Sequence, residues 1–352
     1  MSGFRRLPMR SFAPSGLSEE SEPSRALLSE LLAKLQGTQN ADGGWPFLPG
    51  FSAGEKHSAS FLGAGTSRVE PTCWALLALN SSHSSVEETI ARGADFLKSQ
   101  QLSDGSWPTA TGMTTGGWVT SLAALTLAQT PDPGGSLEKS VVRGLEWLAE
   151  DYPRDSSRWQ KFLKLFNSPK QVSLNDEFRG WGWTPRTASW VEPTSFALLA
   201  LAAAANLSQP TGSEMSERRT LGIGLLYDRM CAGGGWNCGN PRVYGVDGDS
   251  LVLPTCWALL ALRDAPDHPN RTLSLAWLQK SFTSIASAGS LAVAGMTLEN
   301  YAVALPAAKL QLTGLKASDL AGEGTHVAAW VALALNPSRS WPATQPRNGD
   351  KT

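Results

Sequence analysis

Two glutamates and two aspartates sit where proton chemistry could be done. Glu70 and Glu192 each stand directly before Pro-Thr and an apolar run, Cys73–Leu79 in one case and Ser195–Leu201 in the other. A carboxyl buried among apolar walls stays neutral and can act as a general acid. A helix start works against this, stabilising the ionised form by ~0.3–1 kcal/mol, or up to ~2 kcal/mol when partly buried. An acidic cap on a helix explains the same residues, so both readings stand. Asp247 and Asp249 lie in the glycine-rich segment Tyr244–Asp249. Two carboxylates that close could share a proton or bind a cation. Glycine-bracketed aspartates are also ordinary turn formers. Trp74, Phe196, Trp257, Tyr301 and Trp330 recur within the apolar runs. Rings facing a cavity would stabilise a carbocation or line a ligand site, at ~0.5–2 kcal/mol each. Rings facing outward would pack two helical layers together.

The elements that must position these residues repeat. Glu70-Pro71-Thr72-Cys73-Trp74-Ala75-Leu76-Leu77-Ala78-Leu79 returns as Glu192–Leu201 and as Pro254–Leu262. The prolines fall at 71, 193 and 254, and the first gap is twice the second. A fixed period on this scale marks stacked helical hairpins. Proline is favoured at a helix start, and an Ala/Leu run apolar nearly all round reads as a helix buried on every side. Further copies are Trp118–Leu125, Glu299–Leu305 and His326–Leu335, six buried helices in all. Amphipathic partners are expected near 24–37, 85–101, 136–150, 216–230, 271–287 and 315–322. Several end in a glycine turn with a tryptophan: Leu35, Gln39, Gly43 and Trp45, then Leu97, Gln101, Gly105 and Trp107 at identical spacing. Leu226, Met230, Gly234 and Trp236 keep the frame without the glutamine, and Arg143, Gly144, Trp147 and Leu148 keep its first half. Alternating buried and amphipathic helices predict an all-α fold, an α6/α6 toroid with the buried set as inner barrel.

The glutamine–glycine–tryptophan turns resemble the QW repeats of squalene and oxidosqualene cyclases. The alternating helices resemble the α/α toroid those enzymes share with protein prenyltransferase β subunits. The resemblance runs from about Pro23 to Leu335 and is nearest to the stand-alone prenyltransferase/squalene oxidase repeat proteins of bacteria. It implies protonation-initiated cyclisation of an apolar polyene, an isoprenoid, with no redox cofactor. Such cyclases protonate an alkene with an Asp-x-Asp-Asp-Thr motif at the start of an inner helix. Here that place reads Arg68-Val69-Glu70-Pro71-Thr72 and Trp190-Val191-Glu192-Pro193-Thr194. The threonine is kept, a glutamate replaces the acidic aspartate, and proline replaces the aspartate after it. The cyclases set their active site between two barrels, so the likeness implies a homodimer or a second subunit here. Two alternatives come with it. One is a non-catalytic toroid that binds an isoprenoid or a protein partner. The other is a zinc prenyltransferase β-like subunit, for which His326 is placed but Asp247, Asp249 and Cys256 have the wrong spacing.

Composition bounds the rest. The chain has 352 residues, 41% hydrophobic and 17% charged, enough for one large closed array. A net charge of −1 implies no nucleic-acid field. Four scattered cysteines make no disulfide framework and fit a cytoplasmic protein. Residues 1–23 are read as a flexible segment, 24–336 as the toroid and 337–352 as a disordered tail. An insertion at about 152–190 breaks the period and carries Trp159, Phe162, Leu163 and Phe166 on one helical face with basic residues alongside. Such a helix either packs across the barrel mouth or makes peripheral contact with a membrane.

Overall fold

A computed structural model of the chain describes residues 22–49, 65–81, 86–132, 134–153, 175, 177–203, 207, 212–303, 312, 314–320, 322–336 and 341. The expected amphipathic helix of the insertion, with Trp159 to Phe166, lies outside these residues. The described helices are α1 (Glu22–Gly37), α2 (Val69–Asn80), α3 (Glu87–Gln100), α4 (Val119–Gln129), α5 (Glu138–Glu150) and α6 (Val191–Ala203). They continue with α7 (Ser213–Asp228), α8 (Val252–Leu262), α9 (Pro269–Ser281), α10 (Ala288–Asn300) and α11 (Thr325–Leu335).

Each Pro-Thr phrase opens a helix in its first turn, where the missing proline N–H is harmless. The residues that follow are buried on all sides in α2, α4, α6 and α8. A helix without a polar face needs neighbours all round, and a closed ring supplies them. The inner helices pack in the order α2, α4, α6, α8, α10, α11, and α11 returns to α2. Outside them α3 lies on α2, α5 on α4, α7 on α6 and α9 on α8, while α1 covers α11. The fold is an α/α toroid, as the alternation predicts, with six inner and five outer helices among the described residues.

Two elements differ from expectation. The fifth inner helix is not Glu299–Leu305 but Ala288–Asn300, started by Ser287, whose hydroxyl accepts from the Ser290 N–H at 3.4 Å. Its run of Ala, Gly, Leu and Val suits close helix packing without any Pro-Thr signal. Glu299 and Asn300 close that helix, and Ala302, at φ +55°, follows it. The preceding outer helix ends correspondingly early, at Ser281. The expected sixth outer segment, 315–322, holds a single 3-10 turn, Ala317–Leu320.

The glycine–tryptophan turns weld the two layers. The indole N–H groups of Trp45, Trp107, Trp181 and Trp236 donate to the carbonyls of Leu35, Leu97, Leu148 and Leu226 at 2.5–2.8 Å. Their backbone N–H groups donate to the hydroxyls of Thr72, Thr120, Thr194 and Thr255 at 2.9–3.0 Å. One tryptophan thus ties the end of an outer helix to the start of an inner one. Gln39 and Gln101 add a third tie. Gln101 donates to Gly105 O in its own turn and to Ser140 O near the start of the next outer helix, both at 2.9 Å, and Gln39 does the same with Gly43 and Thr89. Gly105 takes φ +94° with the Arg143 carbonyl pressed against it. A Cβ there would lie 2.5 Å from that oxygen, so only glycine fits.

Trp181 completes the half turn at Arg143–Leu148, which the insertion had split. Tyr152 holds the glutamine position there, and Arg218 replaces the glutamine's function. Its guanidinium lies over the rings of Trp181 and Tyr152, 4.0 and 4.5 Å from their centroids. It donates to Asp151 O and Gly180 O at 2.9 and 3.0 Å.

Candidate active site

All inner helices whose phrase begins with Pro-Thr start at the same end of the barrel. Glu70 is the second residue of α2 and Glu192 the second residue of α6, with α4 between them in the ring. The structure brings their carboxyls within electrostatic reach of each other. Burial pushes the Glu70 carboxyl up from 4.5 to about 7; Trp74 and the Arg68 charge pull it back, and the Glu192 charge adds to the rise. The Trp74 indole lies close enough to favour the carboxylate, yet its N–H falls short of hydrogen-bond geometry. Burial also raises Glu192.

One turn below Glu70 the barrel is filled with rings. Trp74, Phe196, Trp257 and Trp330 are each the sixth residue of their helices, so the phrase's register places them at one level. Trp74 stacks on Trp257 at 5.5 Å and meets Phe196 and Trp330 edge-on at 5.8 and 5.4 Å. Trp257 lies 5.1 Å from Phe196 and 5.6 Å from Trp330. The rings therefore face the barrel axis rather than the outer layer. Trp118 extends the layer from the start of α4, 5.6 Å from Phe196 and 5.3 Å from Trp183. His326 sits between Phe47 and Trp330, 4.9 Å from each, and burial lowers its pKa, keeping it neutral.

The remaining candidates lie elsewhere. Tyr301 follows the end of α10, and its hydroxyl donates to Leu259 O at 2.6 Å, at the far end of the barrel from Glu70. Asp247 and Asp249 are exposed, Asp247 on a two-residue hairpin ladder where Arg242 stands 3.4 Å away. Neither is among the groups that shift Glu70 or Glu192. Cys256 is fully buried beside Thr297, its thiol pushed up to about 12. Among the described residues no three His, Cys, Asp or Glu side chains converge to hold a metal ion.

Three residues of the ring layer escape sequence reasoning. Trp118 stands inside a copy of the phrase, which was the available signal. Trp183 follows Trp181 in the split turn. Trp341, in the stretch expected to be a disordered tail, is 4% exposed and touches Trp74 and Trp257 at 5.6 and 6.1 Å. No periodic context marks it.

A family model of the squalene–hopene cyclase C-terminal domain matches residues 15–122. The squalene–hopene cyclase of Bradyrhizobium diazoefficiens is 26% identical over 260 residues, covering 68% of this chain. The chain resembles squalene–hopene cyclases in sequence. It matches only 35% of that enzyme's length. Among solved structures, the type II terpene cyclase MstE from Scytonema, in complex with merosterolic acid A, superposes with a TM-score of 0.51 at 16% identity, over 89% of this chain and 79% of that one. A glycosidase variant superposes with a TM-score of 0.54 at 12% identity, over 90% of this chain and 96% of its own. The toroid is thus common to a cyclase and a glycosidase, and the fold alone selects no chemistry. No described helix of this cyclase-like chain is long and apolar enough to cross a membrane.

Proposed function

We propose that this cyclase-like chain starts cyclisation of an apolar isoprenoid by proton transfer from Glu70. The observation that carries the reading is a carboxyl raised to about 7 by burial, one helical turn above Trp74 and the four rings that touch it. Below that pH Glu70 holds its proton. Protonation of a terminal alkene forms a C–H bond at one carbon and leaves a cation on the other. The O–H electron pair stays on Glu70, whose new charge is poorly hydrated and so readily recaptures a proton. A neighbouring double bond of the chain then attacks the cation. Ring faces supply ~0.5–2 kcal/mol of cation stabilisation each, and loss of a proton ends the sequence. Charge on Glu192 helps hold the Glu70 proton in place.

A second reading, a non-catalytic toroid binding an isoprenoid or a protein partner, is favoured by how fully the rings occupy the barrel. Incubation with farnesol, geranylgeraniol and squalene, followed by product analysis, separates the two. The cyclase reading expects cyclic products from the wild type and a loss of about 10²–10⁴ in rate for Glu70→Gln, the usual contribution of a general acid. Full activity in Glu70→Gln defeats Glu70 as donor. Unchanged substrate across the panel, with retained binding, selects the binding reading.

A further inference from the structure

The tryptophans divide by what their indole N–H groups do. The four in the turns all donate to leucine carbonyls. In the ring layer, the buried N–H groups of Trp74, Trp330 and Trp341 reach no acceptor. A tryptophan selected for stability usually seats its N–H on a partner, because losing water without gaining one is unfavourable. Trp341 is seated for its shape instead.

Its backbone, in contrast, has a built receptor. Asn300, the last residue of α10, donates from Nδ2 to Trp341 O at 2.8 Å and to Met296 O at 2.9 Å. The Asn300 Oδ1 accepts from Arg263 Nη1 at 2.6 Å, and Arg263 caps the end of α8. The C-terminal ends of two inner helices therefore hold one carbonyl of a residue far along the chain. From that end the indole reaches Trp74 and Trp257. Trp74 lies six residues before the end of α2, about 9 Å along the axis, and Glu70 about 6 Å beyond it. Trp341 thus fills the half of the barrel opposite the glutamates and props the ring layer from beneath.

We propose that Trp341 is the stop of the inner barrel: it sets the longest apolar chain that can be held with one end at Glu70. The proposal rests on the isoprenoid reading above. Removing the indole leaves an apolar void on the order of 150 Å³, a size known to stay dry and admit small aromatic molecules. Trp74 and Trp257 gain room to move into it, and the space above them lengthens.

The test compares wild type, Trp341→Phe and Trp341→Ala. Thermal melts with and without indole report whether the side chain is seated. Quenching of intrinsic fluorescence reports binding of farnesol, geranylgeraniol and squalene. Trp341→Ala is expected to melt lower, to be restored by added indole, and to shift its affinity ratio toward the longer chains by about tenfold or more. Trp341→Phe is expected to fall between. An unchanged melt shows that Trp341 is not seated and overturns the proposal. Indole rescue with an unchanged chain-length preference shows a seated residue that is no stop, and overturns it also. Binding of no chain by any variant removes the isoprenoid reading and the stop together, and indole rescue then identifies a purely structural plug.

Discussion

Replacing Glu70 by glutamine should make the protein more stable at neutral and higher pH, but not in acid. The folded state raises this carboxyl from 4.5 to about 7. Between those values the folded chain keeps a proton that the unfolded chain has released. Stability falls with rising pH wherever the folded state binds more protons. The loss begins near pH 4.5 and is complete above about pH 7. At ~1.36 kcal/mol per pH unit, the full cost is on the order of 3 kcal/mol. Glutamine carries no charge at any pH and escapes it. Urea denaturation of both proteins from pH 4 to 8, with midpoints and slopes fitted at each pH, measures the difference. The gap between them should be flat below about pH 4.5, open through pH 4.5 to 7 and then level off. Glu192→Gln in the wild-type background should draw the upper end of that window downward, because the Glu192 charge contributes to the rise. Parallel stability profiles for wild type and Glu70→Gln would refute the burial of this carboxyl, and the proton-donor role with it.

Other perturbations address the frame. Gly105→Ala drives a Cβ to 2.5 Å from Arg143 O and should cost roughly 3 kcal/mol or more by urea melt; Gly112→Ala, also at positive φ but with nothing within 4 Å, should cost roughly 1 kcal/mol. Thr120→Val leaves the buried Trp107 N–H without its acceptor and should cost ~1–3 kcal/mol with no change in ligand-chain preference. Arg218→Met strands the Asp151 and Gly180 carbonyls and removes a cation from two ring faces, for a loss of roughly 3 kcal/mol read as a lower melting temperature.

Legibility in the sequence followed local signals. α2, α6 and α8 are readable to the residue because proline, threonine and an apolar run coincide. α10 is not, since Ala288–Asn300 replaces that phrase with small residues that resemble a linker until a ring needs filling. Trp181 was hidden because its partner Leu148 lies before the insertion, although its spacing to Thr194 equals that of Trp107 to Thr120. The nearness of Glu70 to Glu192 depends on α4 packing between their helices, which no local pattern states. Trp341 depends on the two helix ends that receive its carbonyl, and those too are assembled only by the closed ring.

The repeats also bear on whether the glutamates are mere caps. Counting four residues back from the ring layer in each inner helix gives Glu70, Glu192, Leu253 and His326, and Trp118 at the matching place in α4. The threonine that receives the turn tryptophan is kept in four of these helices, Thr72, Thr120, Thr194 and Thr255. The fold therefore demands the threonine but not a carboxyl two residues before it. α4, α8 and α11 start equally well on tryptophan, leucine or histidine at that position. A cap would favour an exposed, ionised carboxylate that stabilises the first turn. Glu70 and Glu192 are part-buried and raised instead, at a cost α4, α8 and α11 avoid. A group that destabilises its own fold at neutral pH, and that the repeat does not require, supports the proposed role as proton donor.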